Sequence, residues 1–102
     1  MTNMFCLVGR LVEEPRKIMG VDDKEFTEIH LAVNRNFKNE YGEYETDFIR
    51  VELFDRIIAT STTKYCKRGD LIGVKGRIEN NGNVLVLIAE KVTFLSAYRN
   101  ND

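Results

Sequence analysis

The chain has no tryptophan, one proline, one histidine and two cysteines. Without tryptophan, any work done by aromatic rings falls to six phenylalanines and four tyrosines. One proline and seven glycines leave little room for linkers or low-complexity segments. Cys6 and Cys66 lie far apart with no ligand pattern beside them, which argues against a zinc site. Both read as buried free thiols rather than a disulfide. His30 has no Ser, Cys or carboxylate set around it in a catalytic order, so it reads as a surface residue. No apolar run approaches the roughly 20 residues that span a bilayer. The start, Met1-Thr2-Asn3-Met4, lacks the basic and apolar regions of a signal peptide, so no membrane partner and an intracellular address are expected. An excess of one charge is missing too, with 15 Lys and Arg against 16 Asp and Glu. That balance argues mildly against nucleic acid, since such binders are usually basic. Binding depends on how charge is distributed, however, and many acids fall in Glu13-Glu14, Asp22-Asp23 and 40–47, which read as loops or loop edges.

Catalytic signatures are also lacking. There is no phosphate-binding Gly-rich loop, no nucleophile elbow, no His-based metal motif and no internal repeat. Neither an enzyme nor a cofactor nor a metal is expected.

What is present fits one domain over residues 1–102. The most informative stretch is Thr46-Asp-Phe-Ile-Arg-Val-Glu-Leu-Phe54. Side chains alternate on a strand, so Asp47, Ile49, Val51 and Leu53 share one side and Phe48, Arg50, Glu52 and Phe54 the other. The first side is a core face. The second interleaves two rings with two charges, a pattern suited to flat, charged ligands: rings for stacking, basic groups for phosphates. A strand buried on both sides is the competing reading of the same residues.

Around it, Met4 to Val12 forms a first strand with a bend at Gly9, and residues 13–24 a charged loop. In that loop Arg16 and Lys17 read as solvated, with phosphate contact the alternative. Residues 25–35 form a second strand, with Ile29, Leu31 and Val33 inward and Glu28, His30, Ala32 and Asn34 outward. Residues 36–44 make a polar hairpin connection in which Phe37, between Arg35 and Lys38, is the best stacking candidate; Tyr41 and Tyr44 stack or pack back on the hairpin. After the third strand Asp55 caps a helix from about Arg56 to Lys67. Lys64, Lys67 and Arg68 near its end, with Gly69 after it, have a sufficient structural explanation as a stop signal. A fourth strand runs from Leu71 to Glu79, with Lys75 and Arg77 outward, and turns at Asn81-Gly82. Val84 to Ala89 is apolar at every residue, which reads as a fifth strand buried on both sides or paired with another subunit, continuing through Val92 and Phe94. The polar end lies at 97–102. Five short strands and one helix between the third and fourth point to an all-β, five-stranded Greek-key OB-fold barrel.

With these elements in order, four segments resemble the bacterial and phage single-stranded-DNA-binding protein family. They are Met4-Phe-Cys-Leu-Val-Gly-Arg-Leu-Val12, His30-Leu-Ala-Val-Asn-Arg-Asn-Phe37, Glu45-Thr-Asp-Phe-Ile-Arg-Val-Glu-Leu-Phe54 and Tyr65-Cys-Lys-Arg-Gly-Asp-Leu-Ile-Gly-Val-Lys-Gly-Arg-Ile78. The resemblance implies that Phe37, Phe48 and Phe54 stack on DNA bases. It also implies a homotetramer built from dimers, with a dimer as the simpler assembly, and Met4 to Leu7 at the subunit contact. The expected function is sequence-tolerant binding and protection of single-stranded DNA in replication, recombination or repair, in the cytoplasm on the nucleoid. Arg10, Arg35, Arg50, Lys75 and Arg77 would neutralise phosphates.

Three features depart from the family pattern. The chain stops at Asp102 without the acidic tail that recruits replication proteins, the connection at 80–83 is short, and tryptophan is absent. Those departures, with the near-neutral charge, support the alternative of an OB-fold replication or primosome interaction module. RNA or oligosaccharide binding shares the same aromatic face.

Overall fold

A computed structural model describes residues 1–98; the last four residues of the polar end, 99–102, lie outside the described residues. Six strands and one α-helix follow one another: β1 (Phe5–Leu11), β2 (Arg16–Met19), β3 (Glu25–Lys38), β4 (Tyr44–Leu53), α1 (Arg56–Tyr65), β5 (Leu71–Asn81) and β6 (Val84–Ser96). In the sheet the order is β1-β5-β6-β4-β3-β2, and β1 also pairs with β3. That extra pairing, Arg10 opposite Ala32 and Leu11 opposite Leu31, closes five strands into a barrel. All pairings are antiparallel except β4 with β6. This is the expected OB-fold barrel, with β2 added at its edge.

Alternation along the strands sends Leu11, Ile29, Leu31, Val51, Leu53, Ile72 and Val74 into the barrel, all of them fully buried. Each such side chain stabilises the fold by about 1.5–3 kcal/mol relative to exposure. β1 changes partner from β5 to β3 within a few residues, and Gly9 sits at that seam. A Cβ there would lie 2.6 Å from the Ala32 carbonyl oxygen, so only glycine lets the two backbones approach.

Helix α1 closes one end of the barrel. Asp55 caps it as expected, its Oδ1 accepting from the Ile58 N–H at 3.0 Å. The helix stops at Tyr65, earlier than Lys67, because Cys66 already has extended backbone. Ile58 and Ala59 pack on the core and Thr62 is buried. Tyr65, at the end of the helix, is exposed.

The segment after α1 is tied down by Asp70, a buried carboxylate. It accepts from the Lys67 N–H at 2.8 Å and from the Tyr98 N–H at 3.0 Å. Asp70→Ala would strand both donors, so urea unfolding should show a loss of about 1–3 kcal/mol for each donor left unpaired. An unchanged midpoint would show that water replaces the carboxylate.

Five expectations are corrected. Residues 13–24 are not all loop: Arg16–Met19 forms β2 along β3, and Val21–Asp23 a short 3₁₀ turn. The 36–44 connection is strand at both ends, since β3 runs to Lys38 and β4 begins at Tyr44, leaving 39–43 as the turn. The β5–β6 turn is shifted by one residue to Gly82-Asn83, with Asn81 opposite Val84 and Gly82 at φ +67°. In the single chain β6 is not buried on both sides at its start, because Val84 and Leu85 are exposed. Of the two thiols Cys66 is buried, its pKa raised by that burial, whereas Cys6 is exposed on the outside of β1.

Candidate nucleic-acid interface

Residues directly opposite in an antiparallel pair project to the same side of the sheet. The β3–β4 register therefore builds the outer face in rows: Glu28 with Glu52, His30 with Arg50, Ala32 with Phe48, and Asn34 with Thr46. Strand β2 extends these rows, placing Arg16 beside Glu28 and Ile18 beside Phe26. At the other end of the Ala32–Phe48 row stands Arg10, opposite Ala32.

The aromatic side chains are where alternation puts them. Phe48 is 63% exposed and Phe54 45%, while Val51 and Leu53 between them are sealed in the core. His30 meets the Phe48 ring edge-on at a centroid distance of 6.0 Å. Phe54 packs on Phe26 at 4.9 Å, the planes inclined by 33°. Phe37 is 66% exposed in the irregular part of β3 between Asn34 and Lys38, where the register shifts. Tyr41 and Tyr44 are exposed rather than packed back, and the Lys38 ammonium lies 5.8 Å from the centre of the Tyr44 ring. Phe26 is the ring that sequence reading missed. Continuing the alternation of β3 back from Glu28 would have found it, since both residues lie on the outer side.

The five cations are distributed less simply than a single groove. Arg10 and Arg50 flank Phe48. Arg77 is opposite Ile88, which is itself opposite Glu52, so it reaches the same face from β5. Lys75 lies opposite Cys6 and Lys91, on the wall built by β1, β5 and β6. Arg35 shares the side of Val33 and Asp47, opposite to Phe48, so it does not converge with the other cations on the aromatic face.

Carboxylates already hold most of these guanidinium groups. Glu28 accepts from Arg50 at 2.7 Å and from Arg16 at 3.4 Å. Arg77 is held by Glu79 at 2.8 Å and by Glu90 at 3.3 Å. Arg35 grips Asp47 with two nitrogens, at 3.0 and 3.1 Å, and pairs with Glu45 as well. The Arg35 guanidinium holds the Asp47 carboxyl below its ordinary range. The acids at 45–47 are thus ion-pair partners on a strand, not loop charges. Arg10 donates to the Gly69 carbonyl at 3.0 Å. Glu52 has no cationic partner among the described residues, and its pKa is raised by burial, then by Glu28 and Glu79. No group of three or more metal-ligating side chains is found among the described residues, and no helix is long and apolar enough to cross a membrane.

Comparison with known proteins is consistent with this geometry. Residues 2–94 match the single-strand binding protein family. The chain is 40% identical to Single-stranded DNA-binding protein B of Bacillus subtilis, over 88% of this chain and 83% of that protein. It is 37% identical to Single-stranded DNA-binding protein 1 of Staphylococcus aureus, over 100% of this chain and 70% of that protein. Among solved structures, a mitochondrial single-stranded DNA binding protein from S. cerevisiae superposes with a TM-score of 0.80 at 18% identity, covering 97% of this chain and 100% of that one. A Plasmodium falciparum protein in complex with single-stranded DNA gives 0.73 at 22% identity, covering 94% and 96%. At those identities the structures speak for the fold, and the sequence matches speak for descent: the chain belongs to the single-strand binding protein family.

Proposed function

We propose that the chain binds single-stranded DNA without sequence preference, protecting it in replication, recombination and repair. The observation that carries this reading is the pair of exposed rings, Phe48 and Phe54, on a strand whose other side is barrel core. Every base offers a π-face, so rings recognise single strands whatever their sequence, and an unpaired strand is what leaves those faces accessible. Phe37 adds a third ring on the β3–β4 hairpin. Arg10, Arg50 and Arg77 stand where phosphates of a stacked strand would pass, while Arg35 and Lys75 would serve only a strand that wraps around the arm or the β1 wall. Anisotropy of a labelled oligo-dT tests the reading directly, with poly-rU as competitor. Saturable binding that poly-rU competes for only weakly is expected; no binding at low salt would overturn it.

The protein works as a homotetramer in the cytoplasm, on this reading. Supporting the assembly are the exposed apolar residues Met4, just before β1, and Val8 on it, with Val84 and Leu85 on β6. Light scattering should give four chains, or two if dimers do not pair.

Because the face carries so many carboxylates, acid should strengthen binding. Glu52 has a raised folded pKa, so its proton is bound more tightly in the folded than in the unfolded chain. Stability from this group is therefore gained as pH falls through the folded value and lost as pH rises through it. Nearby phosphate raises that pKa further, so DNA binding takes up a proton and tightens on acidification. Glu52→Gln should tighten oligo-dT binding at neutral pH by roughly two- to tenfold, the size of one screened charge interaction. It should also flatten the pH profile of binding. A profile unchanged by Glu52→Gln would place the titrating group elsewhere.

A further inference from the structure

The stacked pair Phe26 and Phe54 does not end the aromatic face; it forms one lip of a cleft between α1 and the strands β2 to β4. The cleft measures about 590 Å³ and is lined, besides the two rings, by Lys17, Arg56, Thr60 and Lys64. That is within the roughly 300–1,000 Å³ of small-ligand sites. Its charge differs from that of the sheet face. On the sheet, Arg50 and Arg77 are held by Glu28, Glu79 and Glu90, and Glu52 is left over. In the cleft only Glu25 is acidic, and it pairs with Lys17 at 3.4 Å. Arg56 and Lys64 have no carboxylate partner among the described residues. Lys64 rests over the exposed Tyr65 ring at 5.2 Å, a contact a phosphate can replace.

We infer that a DNA strand stacked on Phe54 leaves the sheet there and enters this cleft, where Arg56 and Lys64 take its phosphates and Phe26 backs the next base. The inference rests on the single-strand-binding reading and extends it onto the helix. Two observations carry it: the Phe54 ring packs on Phe26 at the lip of the cleft, and Arg56 and Lys64, which line that cleft, have no carboxylate partner among the described residues, whereas Arg50, between Phe48 and Phe54, is held by Glu28. The helix-end explanation of Lys64 is not displaced, since a lysine in the last turn can favour the helix and still meet a phosphate.

The test compares two double variants of equal charge change, one on α1 and one in the segment just after it. Arg56→Gln with Lys64→Gln removes the cleft cations; Lys67→Gln with Arg68→Gln removes two that do not line it. Both are titrated with labelled oligo-dT over a salt series. The cleft pair should lose about tenfold in affinity, and the slope of log K against log salt should fall by about 1.4, the value for two lost phosphate contacts on a single strand. The control pair should lose less than about twofold. In the wild type, oligo-dT should also protect Lys64, but not Lys67, from an amine-acylating reagent, a readout that needs no variant. Equal losses for the two pairs, or equal reactivity of the two lysines in the complex, would overturn the cleft while leaving the aromatic face intact. Failure of the wild type to bind oligo-dT at all would overturn the DNA reading, and the cleft with it.

Discussion

Phe48→Ala is expected to weaken oligo-dT binding by roughly 5- to 150-fold, the equivalent of about 1–3 kcal/mol per stacked base. The fold should be untouched. Phe48 is nearly two-thirds exposed in the free chain, and its one aromatic neighbour is the edge-on His30. Little buried surface is therefore lost on truncation, and the urea midpoint should stay where it is. Phe54→Ala should behave differently, because Phe54 is less exposed and packs on Phe26. Its loss should lower both affinity and stability. Measured together, the two variants separate stacking on DNA from packing within the protein. A folded Phe48→Ala protein that binds as tightly as the wild type would refute the stacking role.

The largest effect on stability is expected from Gly76→Ala. Gly76 lies where β5 and β6 change register, Lys75 facing Lys91 and Gly76 facing Ala89, so that Glu90 is bulged out. A Cβ on Gly76 would fall 1.9 Å from the Ile88 carbonyl oxygen and 2.9 Å from its carbon. Neither atom belongs to a flexible side chain, so the bulge itself must open. The consequences reach the binding face: Ile88 faces Glu52, and Glu90 holds Arg77. We expect a loss of about 3 kcal/mol or more, at or above the upper end of overpacking in well-packed cores. Thermal unfolding by circular dichroism checks it, and a transition within a degree of wild type would show that the bulge yields at little cost.

Much of the interface could be read before folding because strand parity is a local property. Once Val51 and Leu53 are assigned inward, Phe48, Arg50, Glu52 and Phe54 must point outward, and burial agrees. The same rule worked on β3 for Ile29 and Leu31. It failed where the decisive contact was distant. Arg16-Lys17-Ile18-Met19 has no alternation of its own to speak of, and becomes strand because β3 offers an edge with backbone groups to satisfy. The β5–β6 turn lies one residue beyond the Asn81-Gly82 pair that composition favours, because the pairing of Asn81 with Val84 puts the glycine first in the loop.

From the sequence alone came the barrel class, the single helix with its Asp55 cap, the family likeness and the outward placement of Phe48 and Phe54. All of these depend on residue order within a few positions or on whole-chain pattern. Only the tertiary structure decided which cations are available. Glu28 and Arg50 are 22 positions apart yet 2.7 Å apart in space, and Lys17, Arg56 and Lys64 share a cleft through contacts between β2, β3 and α1. Coulomb interactions depend on distance through space and on local burial, and neither is written in the spacing of residues along a chain.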